Sequence, residues 1–226
     1  MKRAVLAAAA ALLALAGAAR ADPTVVELYQ SQGCSSCPPA DANVNAIADA
    51  PGLIVLSFGV TYWDDLGWKD TFASPRFTAR QWAYAHGLRH EDVATPQVVI
   101  NGRTDVVGAD PRQLYATIRA AGSPSGAELS VADGRASIAA GRAPRGGADI
   151  WLVRYDSRIL NVAIRAGENG GKTLPHRHVV RELTRLGGWT GAAVSYAVPP
   201  ARDANLRTAI LVQAANGGPI LAAGKL

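Results

Sequence analysis

Cys34 and Cys37 are the only cysteines in this 226-residue chain, and Ser35 and Ser36 alone separate them. Two thiols at that spacing can close a small disulfide, exchange it with another thiol, or supply half of a zinc site. A zinc site needs two further ligands, and no other cysteine exists to provide them. As a mere staple the pair is poorly placed, because so short a loop contributes roughly 2 kcal/mol against about 3 for a fifteen-residue loop. A chain of this length also buries enough apolar surface to fold without cross-links. The spacing therefore points to exchange, in which a thiolate is the attacking species. Cys34 is the expected exposed nucleophile, and Cys37 the thiol that resolves the mixed disulfide.

The flanking residues must hold such a pair in place. Val25 to Tyr29 reads as a strand and Pro39 to Asp49 as a helix. This puts the cysteines at a helix N-terminus, where unpaired N–H groups lower a thiol's pKa. Because a residue before proline avoids the α region, Cys37 and Pro38 are expected outside the helix, with Cys34 further from its positive end. The hydroxyls of Ser35 and Ser36 can donate to a thiolate. Leu53 to Val60 is an apolar run suited to a strand buried on both faces. A helix is expected near Phe77 to His86, ended by Gly87. Gln97 to Asn101 and Thr104 to Val107 flank Asn101-Gly102, a strong hairpin signal. Asp110-Pro111 opens a further helix as N-cap and first position. This order indicates a mixed sheet with helices on its faces.

After residues 122–126 the chain becomes strand-rich. Expected strands include Glu128 to Val131, Ala136 to Ala139, Ile150 to Tyr155, Ile159 to Arg165, Ala192 to Val198, Thr208 to Ala214 and Pro219 to Ala223. Val179 to Leu186 fits a strand or a helical turn. Short strands at this spacing suggest a small antiparallel sandwich.

Other residues bear on chemistry less directly. Trp63 in the loop Tyr62 to Asp70 offers an aromatic surface for an unfolded chain or packs the loop onto the sheet. Asp64 and Asp65 are candidates to relay the proton of Cys37, or to cap the next turn. His86, His90, His176 and His178 read as solvated or structural, the last two sharing one strand face. Copper delivery by the cysteines with a histidine is a minor reading. Gly167 to Thr173 lacks the GxxxxGK[ST] spacing and reads as an ordered Asn/Gly turn. No GxSxG elbow or HExxH motif is present.

The N-terminus carries Lys2-Arg3, an Ala/Leu run to Ala16 and then Ala19-Arg20-Ala21, the pattern of a secretory signal peptide cleaved after residue 21. Without Lys2, Arg3 and Arg20 the net charge falls from +5 to +2, too little to argue for nucleic acid. No later run is long and apolar enough to span a bilayer as a helix. The expected location is across the inner membrane, in the bacterial periplasm, where a disulfide persists.

A strand followed by CxxC at a helix start resembles a thioredoxin-like redox site. Thr95-Pro96, immediately before the strand Gln97 to Asn101, resembles the glutaredoxin segment. That resemblance implies a cis proline facing the cysteines, with the backbone of Thr95 pairing with a bound chain. At whole-chain level, Val25 to Asp41 (VVELYQSQGCSSCPPAD), Tyr62 to Ser74 (YWDDLGWKDTFAS), Thr95 to Gly102 and Gly167 to Leu174 (GENGGKTL) resemble the secreted family catalogued as domain of unknown function 1223. The resemblance implies an α/β fold, with a thioredoxin-like domain over residues 22–122 and a β-rich, sandwich-like domain over residues 127–226. Family members often carry His and Asp where this chain has Gly59 and Thr61.

The sequence thus describes an exported thiol–disulfide oxidoreductase acting on protein thiols or disulfides, or on a small thiol. Cys34 and Cys37 are the redox pair, with Thr95, Pro96, Ser35, Ser36 and Trp63 at the substrate. No cofactor or metal is expected. The alternative is a non-enzymatic binding protein on the same scaffold, in which Cys34–Cys37 is a permanent local disulfide.

Overall fold

The computed structural model describes residues 22–226; the signal peptide assigned to residues 1–21 lies outside them. Its centre is an eight-stranded mixed sheet, to which both halves of the chain contribute. β1 (Thr24–Gln30) pairs in parallel with β2 (Leu53–Gly59) and antiparallel with β3 (Gln97–Ile100), which forms a hairpin with β4 (Thr104–Val106). The helices of this half are α1 (Pro38–Ala46), α2 (Pro75–Leu88) and α3 (Pro111–Ala121). From the second half come β5 (Leu129–Ala132), β6 (Arg135–Ile138), β7 (Ala148–Asp156), β8 (Leu160–Ala163) and β9 (Thr173–His176). They are followed by β10 (Val179–Trp189), β11 (Val194–Ala197), β12 (Leu206–Ala214) and β13 (Ile220–Lys225). The main sheet runs β13-β12-β7-β10-β2-β1-β3-β4, and the β10–β2 pairing, through Val179 and Ser57, carries it across residues 122–126.

The strand period of two sorts side chains onto the two faces. On one face Ile54, Leu56 and Phe58 of β2 join Val153 and Tyr155 of β7, and α2 covers them with Phe77 and Tyr84. On the other face α1 and α3 cover Val26, Leu28 and Val55 with Ala40, Val44 and Leu114. Further along that sheet, Ile150 and Leu152 of β7 pack with Ile138 of β6 and buried Trp189. β6 is the middle strand of a separate three-stranded sheet, β11-β6-β5.

Local signals govern the turns. Asn101-Gly102, Asp133-Gly134 and Asn216-Gly217 all have positive φ and join consecutive antiparallel strands. Asp110 caps α3 by accepting the Arg112 amide at 2.8 Å, and Ser74 caps α2 by accepting that of Arg76 at 3.3 Å. Of the two alternatives for Val179 to Leu186 the structure shows the strand, part of β10. Two expectations are corrected. Gly87 lies within α2 rather than ending it; a Cβ there would stand 2.4 Å from the Gly217 carbonyl oxygen, so its bareness lets the β12–β13 turn approach the helix. α1 begins at Pro38, with Cys37 as an N-cap already in the α region. Prolines at the first two helical positions forfeit only N–H groups that would have no intrahelical acceptor.

Candidate functional site

The site is a turn wedged between β1 and α1. The Cys34 amide donates to the Ser31 carbonyl at 3.1 Å, and that of Cys37 to the Cys34 carbonyl at 3.2 Å. The tight turn sets the two Cα atoms 5.4 Å apart, and a disulfide joins the cysteines. The expected exposure of Cys34 is not found: both cysteines are buried, and only Ser35 and Ser36 face solvent. Three segments meet the turn and its approach: Thr95 beside Cys34 Sγ, the loop of residues 61–73 through the Gln32–Asp70 bond, and the β8–β9 loop through Asn169.

Thr95-Pro96 enters β3 through a cis peptide bond, as the sequence resemblance implied. The Cys34 Sγ lies 3.8 Å from the Thr95 carbonyl oxygen, and the Ser36 hydroxyl donates to that oxygen at 3.4 Å. Ser36 Oγ also stands 3.3 Å from Cys34 Sγ. Trp63 donates its indole N–H to Thr95 Oγ1 at 2.7 Å. The structure therefore brings together Cys34, Ser36, Trp63, Thr95 and Pro96. Asp64 accepts the Asp70 amide at 3.0 Å, the turn-capping role, and Asp65 is exposed; among the described residues no hydrogen bond joins either to Cys37.

Residues that the sequence did not single out complete the site. Asp41, one helical turn beyond Cys37, is buried, and its amide donates to the Cys37 carbonyl at 3.0 Å. Burial, and secondarily the charge of Asp70, pushes its carboxyl well above the ordinary range. Asp70 accepts the amides of Gln32 at 2.8 Å and Phe72 at 2.7 Å, yet burial outweighs these bonds and raises it to about 6. From the other side, fully buried Asn169 donates to the carbonyls of Gln32 at 3.0 Å and Cys34 at 2.9 Å. Glu168 accepts the Ser35 amide at 3.1 Å. Asp41, Glu168 and Asn169 stand in the CSSCPPAD and GENGGKTL runs, which were the available signal.

The histidines stand apart from the cysteines in the hydrogen-bond pattern. His176 is buried with neither ring nitrogen bonded, packed edge-on to Phe72, and burial lowers it to about 4. His178 does not share a strand face with it: it lies beyond β9 at φ 49°, bonded to the Val55 carbonyl and Asp49. His90 pairs with Asp105 at 3.0 Å. Among the described residues no three His, Cys, Asp or Glu side chains converge as a metal site. Among them too, no helix is long and apolar enough to cross a membrane.

Comparison with known proteins fits this architecture. The chain is similar to the solved protein AGR_C_4864 from Agrobacterium tumefaciens, with 32% identity over 91% of this chain and 94% of that one, and a TM-score of 0.73. It shares a fold with HBP35 of Porphyromonas gingivalis at 14% identity, over 91% of this chain and 75% of that one, with a TM-score of 0.60. No curated protein matches. The model of the family described as "Protein of unknown function (DUF1223)" matches residues 25–213, and the chain belongs to that family.

Proposed function

We propose that the protein is an exported thiol–disulfide oxidoreductase, built as a thioredoxin-like domain over residues 22–122 followed by a β-sandwich-like domain over residues 127–226. The observation that carries this reading is the Cys34–Cys37 disulfide in a strand–turn–helix, with Cys34 Sγ 3.8 Å from the Thr95 carbonyl oxygen. Thr95, with Trp63 on its hydroxyl, offers an incoming chain a half-buried backbone beside the reacting sulfur. Half-exposed Tyr62 and exposed Leu66 add apolar surface nearby in sequence.

In the reduced protein the Cys34 thiolate attacks one sulfur of a partner disulfide. The Cys34–partner bond forms, and the partner's other sulfur leaves and takes a proton. Cys37 then loses its proton and attacks Cys34 Sγ, closing the Cys34–Cys37 bond and releasing the second partner thiol. The partner gains two electrons and two protons, and the cysteine pair loses them. Asp41, buried on α1 one helical turn beyond Cys37, is the candidate acceptor for the Cys37 proton. The carboxylate of Asp64 already holds the Asp70 amide, which makes it a poorer candidate.

The test is equilibration of the pair with a glutathione redox buffer, with free thiols counted by alkylation and mass. A potential of roughly −120 to −270 mV, where exchanging pairs lie, supports catalysis. Cys37→Ser should accumulate a mixed disulfide and Cys34→Ser should abolish turnover. The second reading, a binding protein with a permanent disulfide, is favoured by the burial of both sulfurs. It takes first place if the potential lies below about −300 mV.

A further inference from the structure

The β8–β9 loop belongs to the second half of the chain, yet it closes over the cysteine turn. Asn169 presents its amide nitrogen to two carbonyls of that turn, and Lys172 Nζ holds the amide oxygen at 2.9 Å, so its orientation is set from both sides. Two backbone bonds brace the loop, from Gly170 to the Gly167 carbonyl at 3.0 Å and from Lys172 to that of Asn169 at 3.1 Å. Gly167 packs on the Trp68 side chain, where a Cβ would stand 3.2 Å from that of Trp68. Trp68 in turn donates to Gln32 Oε1 at 3.0 Å. A rigid support therefore carries Glu168 to the Ser35 amide, 3.1 Å away.

That contact matters because a thiolate at a helix start is stabilised by free amide donors and by positive charge. Here three of those donors are engaged elsewhere. The Cys34 amide serves Ser31, the Cys37 amide serves the Cys34 carbonyl, and the Ser35 amide serves Glu168. We propose that the β8–β9 loop controls the redox pair, Asn169 fixing the turn and Glu168 holding a negative charge beside Cys34 that opposes its thiolate and favours the disulfide. The inference deepens the oxidoreductase reading and, as a control of exchange, rests on it. Glu168 is a positioning residue: it touches Ser35, not the sulfur.

Charged groups on the segments around the turn are Lys172 on the same loop, Asp64, Asp65, Lys69 and Asp70 on the loop of residues 61–73, and Asp41 on α1. The Lys172 ammonium is held on the Asn169 amide oxygen. Asp41 and Asp70 are raised by burial, Asp70 to about 6, and both are common to all the proteins compared below, so neither orders them by the charge at position 168. Glu168 is exposed, and its bonds to the Ser35 hydroxyl and amide lower its carboxyl pKa, so it is ionised throughout the range in which a thiol titrates.

The experiment measures the alkylation rate of Cys34 against pH in full-length protein reduced with a phosphine, with the modified cysteine identified by mass. Wild type, Glu168→Gln and Glu168→Lys are compared at low and high salt. The expected rate midpoint falls in the order Glu, Gln, Lys. Glu168→Gln should react about three-fold faster at pH 7, with the difference shrinking at high salt. A merely structural contact would not order the midpoints by charge. Coincident midpoints for wild type and Glu168→Gln, or a shift to higher pH, would overturn the inference. The exchange reading is scored separately, by wild-type equilibration with glutathione. Ordered midpoints without exchange leave the charge effect standing but defeat its use in catalysis; exchange with coincident midpoints defeats the inference alone.

Discussion

Asn169 donates to the Cys34 carbonyl at 2.9 Å from a position 135 residues later in the chain, and it is fully buried in doing so. The cysteine turn is thus a joint product of the two halves of the protein.

Asn169→Ala removes both donors from the turn and frees the Lys172 ammonium. Buried groups left without partners cost about 1–3 kcal/mol, so the oxidised variant should lose that much stability by urea unfolding. A loss below a few tenths would mean that the turn holds its shape without the β8–β9 loop.

Arg80 of α2 is another link between the halves. It is buried, bonds Glu27 at 2.8 and 3.3 Å, Tyr84 at 3.0 Å and Gln213 of β12 at 3.0 Å, and lies 5.5 Å from the Trp151 ring centre. Arg80→Met would strand the Glu27 carboxylate and is expected to cost about 3–5 kcal/mol in chemical denaturation. Adding Glu27→Gln should restore part of that loss, since the uncompensated charge is then gone. A double variant as unstable as Arg80→Met would assign the cost to packing instead.

Two buried groups give opposed pH dependences. Asp70 is raised by burial from 3.8 to about 6, so its contribution is present below its unfolded pKa and is lost as pH rises through 6, about 3 kcal/mol in all. His176 is lowered by burial from 6.5 to about 4, so its contribution is present above 6.5 and lost as pH falls through 4, also about 3 kcal/mol. The two nearly cancel in the wild type between pH 4 and 6. His176→Leu unmasks Asp70, and its stability should fall with rising pH across that interval, in the same direction as the contribution of raised Asp41. Urea unfolding at pH 4.5, 5.5 and 6.5 reads the slope, and a slope that is flat or rising in the variant refutes the assignment.

What the sequence determined by itself was set by neighbours along the chain. The cysteine pair between a strand and a helix, the Asn101-Gly102 turn and the Asp110-Pro111 helix start depend on residues a few positions apart, and each was found where it was read. The rule for residues before proline misplaced the start of α1. There the Cys37 backbone makes two bonds, from its amide to Cys34 and from the Asp41 amide to its carbonyl, which offset the local preference. Only the tertiary structure decided the rest. The β10–β2 pairing joins the two stretches in one sheet, burial turns Asp41 and Asp70 into raised acids, and the β8–β9 loop brings Glu168 and Asn169 to the turn. The Gln32–Asp70 bond spans 38 residues and the Asn169 bond to Gln32 reaches across 137. No periodicity or local propensity encodes which distant segments meet, because that outcome belongs to the packing of the whole chain.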